Sequence, residues 1–235
     1  MFPKIKQGIG SFGLMGDSWG FDGSQHYPSS MNPWCKINMG WISSTLIEKS
    51  GRYTLKPSVN NAQVFQIKKG FPKNEYLLIE NRQAVGFDAK LPKSGLIIYH
   101  IDELASFSKN PGWPGQKGWP QNGNHYRVAI LQPDGLFSLE QGADLGDAGD
   151  IWQSGLELDK GGSSADGGPY PNTDSYQSGR IKQTGIRIYD IRNNGENIDF
   201  SIEFPGSRPP PPTKNEPSSK ADSELVTTYI GGNGA

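Results

Sequence analysis

The residues of this chain best suited to chemistry are carboxylates and three histidines, His26, His100 and His125. Tyr99-His100-Ile101-Asp102-Glu103 closes an apolar run, and strand alternation would send His100 and Asp102 to one face. With Glu103 beside them they could hold a metal or a substrate. The ordinary alternative is a histidine steadied by a neighbouring carboxylate at a strand end. A second group, Asp144, Asp147 and Asp150, falls in a glycine-rich stretch downstream of Asp134 and Glu140. Calcium takes about six to eight oxygens, and aspartates separated by glycines let one loop wrap an ion. The spacing is not that of an EF-hand, and a solvated acidic loop is the competing reading.

Other chemistry lacks its usual signature. A catalytic zinc is most often announced by HExxH, two histidines one helical turn apart with a glutamate between them, and no such motif occurs. The phosphate-binding GxxxxGK[ST] loop is absent as well. No residue is therefore assigned a catalytic role. Ser11 to Gly20 is a glycine-dense turn around Met15, for which packing is the plain reading. Trp113, Trp119 and Trp152 lie in stretches without strand pattern and could stack on sugars.

The elements that must position these residues are short strands. Gly 31 and Pro 18 in 235 residues suit tight turns better than a helical bundle, and 34% hydrophobic residues suffice for a core. Strands are predicted over 51–56, 62–68, 75–82, 95–101, 126–132, 185–191 and 197–204. Ile186 to Ile191 and Ile198 to Phe204 alternate apolar with polar around Asn193-Asn194-Gly195, the pattern of a hairpin. Tyr76 to Ile79 and Leu96 to Tyr99 are unbroken apolar runs, as expected of strands buried on both faces. One short helix is predicted over 34–39, with Ser29 and Ser30 able to cap it and Pro33 tolerated in its first turn.

The expected fold is thus mainly β: a twisted sheet or sandwich with long glycine-rich loops and one N-terminal helix. Three zones follow, 1–50, a β-rich module at 51–204, and a flexible proline-rich tail at 205–235. A net charge of −1 offers no basic field for nucleic acid, and no apolar run approaches the roughly 20 residues that span a bilayer. The first residues lack the long apolar stretch of a signal peptide. Cys35, the only cysteine, excludes an internal disulfide and is compatible with burial in the short helix.

Taken in order, several strings resemble one family. Gly13-Leu14-Met15-Gly16 is followed by Trp34-Cys35-Lys36-Ile37-Asn38-Met39-Gly40-Trp41, then by Glu75-Tyr76-Leu77-Leu78-Ile79-Glu80-Asn81-Arg82. Ser94 to Glu103, Gln132 to Phe137 and Gly146-Asp147-Ala148-Gly149-Asp150 come next. Over most of residues 8 to 204 the chain resembles the immune inhibitor A family of zinc metallopeptidases, metallopeptidase family six.

The resemblance implies secreted, extracellular proteases that bind zinc and often calcium and act on protein or peptide substrates. In that family HExxH lies upstream of the GLMG segment. By that resemblance, residues 1–50 are the end of the peptidase domain and Met15 is its methionine turn, the floor under the zinc. The chain is then expected to be part of such an enzyme, inactive alone because the zinc ligands are absent. The alternative is a non-catalytic, calcium-stabilised β module that binds protein or glycan, with Asp144, Asp147 and Asp150 as calcium ligands. Neither reading fixes the oligomeric state.

Overall fold

The structure, a computed structural model, describes residues 8–105, 112–120, 125–161 and 168–207. The elements are α1 (Pro33–Asn38), β1 (Ser44–Leu46), β2 (Gly51–Leu55), β3 (Val64–Ile67), β4 (Glu75–Arg82), β5 (Gly95–Asp102), β6 (Val128–Ile130), α2 (Ser138–Gln141), β7 (Arg187–Asn194) and β8 (Asn197–Glu203). The fold is mainly β. One sheet has the order β1-β3-β4-β5-β6, the other β2-β8-β7. Among these described strands, β1 and β3 pair in parallel and the other neighbouring pairs are antiparallel.

The apolar runs of β4 and β5 explain the layering. Successive side chains of a strand point to opposite faces, so an all-apolar strand needs cover on both. Leu77, Ile79, Leu96 and Ile98 pack with Leu55, Ile188, Ile198, Phe200 and Ile202 of the smaller sheet. Leu78, Ile97, Tyr99 and Ile101 point the other way, onto Ile9, Phe12, Trp34 and Ile37 of the N-terminal segment. Every residue of β4 and β5 is buried. Ile98, at the centre of this double-sided packing, is wholly buried, and truncating such a side chain to alanine typically costs about 2–5 kcal/mol.

Several local expectations shift. The helix is capped by Asn32 rather than by Ser29 or Ser30: Asn32 Oδ1 accepts from Cys35 N at 2.9 Å and Pro33 occupies the first turn. Cys35 is half-buried, not core. The hairpin is present, with Asn194 paired to Asn197 across Gly195 and Glu196, and a bulge at Asp190, whose φ is 59°. The predicted strand at 126–132 shortens to β6, and α2 had no periodic signal because it is a single turn. Among the described residues no helix is long and apolar enough to cross a membrane. Residues 208–235 of the predicted tail lie outside the described residues.

Candidate functional site

The end of the β4–β5 ladder gathers both described, buried histidines. Register places Glu75 opposite Asp102 and Leu77 opposite His100. His100 Nε2 donates to Glu75 Oε1 at 2.7 Å. Glu75 also accepts from Tyr176 N at 2.8 Å and from Ser175 Oγ at 2.6 Å. Burial alone would raise the Glu75 pKa, but His100, Ser175 and the Tyr176 amide together hold it below the usual carboxylate value. Glu75 thereby clamps a segment a hundred residues away in sequence.

Asp102 turns to a different histidine. His125 Nε2 lies 3.4 Å from Asp102 Oδ2, while Asp102 Oδ1 accepts from Leu104 N at 2.8 Å. Burial, and then the proximity of His100, push the His125 pKa down. Glu103 Oε1 accepts from Trp34 Nε1 at 2.8 Å and from Tyr76 OH at 2.7 Å, which ties α1 to the sheet. The expected trio therefore divides into three separate groups: His100 with Glu75, Asp102 with His125, and Glu103 with Trp34 and Tyr76. A cavity of about 20 Å³, lined by His100, Trp119, His125, Glu140 and Tyr176, has room for about one water.

The acidic loop is compact, and its carboxylates serve its own backbone. Asp144 Oδ1 accepts from Gly146 N at 2.9 Å and Asp147 Oδ1 from Gly149 N at 2.6 Å. Asp147 and Asp150 form a reciprocal capping box around the turn Ala148–Asp150. A Cβ at Gly149 would lie 2.8 Å from Asp134 Oδ2 and 2.9 Å from Asp147 Oδ1, so the two carboxylates flank one backbone position. Burial, then the like charges of Asp134, Asp147 and Asp144, push the Asp150 carboxyl up to about 7. Burial pushes Glu140 up to about 8, with Gln132 Nε2 donating to it at 2.5 Å. Among the described residues no group of three His, Cys, Asp or Glu side chains is arranged to hold a metal ion.

Met15 is 72% exposed in its turn. Of the three tryptophans considered for sugar stacking, Trp152 is a core residue whose Nε1 donates to Leu131 O at 2.7 Å, and Trp119 is buried against Tyr176 with ring centroids 4.4 Å apart. Only Trp113 keeps partial exposure.

Two spacings in the glycine-dense turn carry motif form without the motif's structure. Gly16-Asp17-Ser18-Trp19-Gly20 has the GxSxG spacing, but it lies in turns rather than between a strand and a helix, and no described hydrogen bond joins Ser18 to a histidine. Gly8-Ile9-Gly10-Ser11-Phe12-Gly13 has the GxGxxG spacing, but it encloses a 3₁₀ turn and no α-helix follows it directly.

Zinc does not fit this residue set. HExxH is missing, His26 is exposed in a turn, and His100 and His125 each face a carboxylate. A scan against family models and a search of curated proteins find no match to this chain.

Proposed function

We propose that this chain supplies the methionine-turn segment and the β module of a secreted zinc metallopeptidase of the immune inhibitor A type, acting on proteins or peptides, and that it is inactive alone. The supporting observation is the exposed apolar material in the segment that resembles the end of the peptidase domain. Met15 is 72% exposed, Trp19 56%, Met39 53% and Trp41 63%. Exposed large apolar side chains are what a further segment of the protein would cover. The resemblance puts the catalytic helix there.

The test is oxidative footprinting of Met15 and Trp41 in the protein purified from its own source and in the isolated chain. Protection in the native protein, with full oxidation in the isolated chain, is expected. Equal oxidation in both would contradict the proposal.

A second reading, the calcium-stabilised module, is favoured by the crowding of Asp134, Asp144 and Asp147 around buried Asp150, which a cation would relieve. Its test is a calcium-dependent melting temperature that Asp147→Asn abolishes.

A further inference from the structure

The two nitrogens of the buried His125 ring meet different surroundings. Nε2 lies 3.4 Å from Asp102 Oδ2, whereas Nδ1 has no hydrogen-bond partner among the described residues. A ring whose Nε2 faces a carboxylate carries its proton there, and Nδ1 is then the bare, accepting nitrogen. The place therefore suits the neutral ring. A second proton would put an N–H donor without an acceptor into the wall of a cavity that Trp119, Phe137 and Tyr176 also line.

The charged groups facing His125 do not offset that loss. From β5, Asp102 favours the imidazolium while His100 opposes it. From β4, Glu75 favours it too, but Glu75 already accepts from His100, from Ser175 Oγ and from the amides of Tyr176 and Gln177. From α2, Glu140 stands in the same cavity wall, yet burial pushes its carboxyl up to about 8, so below that pH it is mostly the neutral acid. Burial keeps Tyr126 and Tyr176 as neutral phenols, and Arg127 is turned to Ala105 O at 3.2 Å. Burial and His100 prevail, and the ring takes its second proton less readily than an ordinary histidine.

What His125 fastens is the connection between β5 and β6. Asp102 N donates to Arg127 O at 2.9 Å, and Trp119 packs on Tyr176 with ring centroids 4.4 Å apart. Tyr176 in turn packs on His100 at 5.0 Å. We propose that His125 is an acid-released latch: as the neutral ring it holds residues 112–120 and 125–127 against the end of the β4–β5 ladder, and as the imidazolium it withdraws, opening the cavity between Trp119 and Tyr176. Opening takes up one proton. The open population therefore grows by up to about tenfold per pH unit, beginning as the pH falls below the ordinary histidine value of 6.5. Glu75, held below its ordinary value of 4.5, stays ionised through that window, so the clamp on residues 175–177 should remain closed. The inference does not depend on the peptidase reading.

The experiment follows amide hydrogen exchange by NMR in the full chain between pH 7 and pH 5, corrected for the intrinsic pH dependence of exchange, in the wild type, His125→Gln and His100→Gln. Glutamine can donate to Asp102 but takes no proton. The opening constant read at the Asp102 amide should rise roughly tenfold in the wild type, with no rise at the Tyr176 amide that Glu75 holds. His125→Gln should remove the rise and His100→Gln should keep it. A rise that persists in His125→Gln, or none in the wild type, would overturn the latch. Loss of the rise in His100→Gln alone would assign it to the other histidine and overturn the latch as well. Should His125→Gln fail to fold, the wild-type imidazole resonances decide. Titration of His125 below pH 6.5, in step with exchange at Asp102, is expected; titration at or above 6.5 would overturn the latch.

Discussion

Two sets of buried charges differ in what stands opposite them. On the face of β4 that meets the N-terminal segment, Arg82 is fully buried, forms a bidentate pair with Asp88 and donates to Phe12 O. Glu80 beside it accepts from Lys36 Nζ at 3.2 Å and from Tyr99 OH at 3.2 Å. Burial disfavours the Arg82 charge, yet Tyr99, Glu80 and Asp88 hold its pKa above the ordinary value. The set of Glu140, Asp150 and Asp174 has no cation among its described partners. All three are pushed up by burial, to about 8, 7 and 6. The same burial thus yields fixed ions where opposite charge is built in, and carboxyls that hold their protons more tightly where it is not.

The largest expected effect breaks the paired set. Arg82→Met leaves Asp88 buried without its counter-charge, and such a loss typically costs about 3–5 kcal/mol. Because Arg82 and Asp88 also hold Phe12 and Ser30, the N-terminal segment should loosen with it. A Tm drop accompanied by new proteolytic cleavage before α1 is the expected result; a Tm within a degree of wild type would show that the pair is dispensable.

A smaller effect sharpens the unpaired set. The folded-state pKa of Glu140, about 8, lies above its ordinary value of 4.5, so the folded protein holds a proton that the unfolded chain releases. That contribution to stability is fully present below about pH 4.5 and is lost as pH rises through about 8, with a slope of up to about 1.4 kcal/mol per pH unit. Glu140→Gln, which mimics the neutral acid, should flatten the fall in stability between pH 6 and pH 9 in denaturant titrations. An unchanged slope would mean that Glu140 is ionised throughout.

The sequence made the frame readable where periodicity is strong. Leu96 to Tyr99 had to be doubly covered, and Ile198 to Phe204 had to face one way, because the apolar patterns leave no other option. Pairings between distant residues were not readable. His100 finds Glu75 at 25 residues' separation, and Glu75 finds Ser175 at 100. From the sequence His100 seemed to belong with Asp102, two residues on, because only local spacing was visible. The role of Trp152 was missed for a related reason: it sits in a stretch without strand pattern, yet it bridges to Leu96 and completes the core. Asp174 carried no sequence signal, since a lone aspartate beside Asn172 and Thr173 reads as turn chemistry.

The proposal that this chain is the back part of a metallopeptidase is tested by the mass of the native protein from its own source, with peptide coverage at its N-terminus. The account predicts a product larger than 25.7 kDa whose upstream peptides contain HExxH. A native product that starts at Met1 would contradict it and leave the carboxylate sites as the place to seek a function.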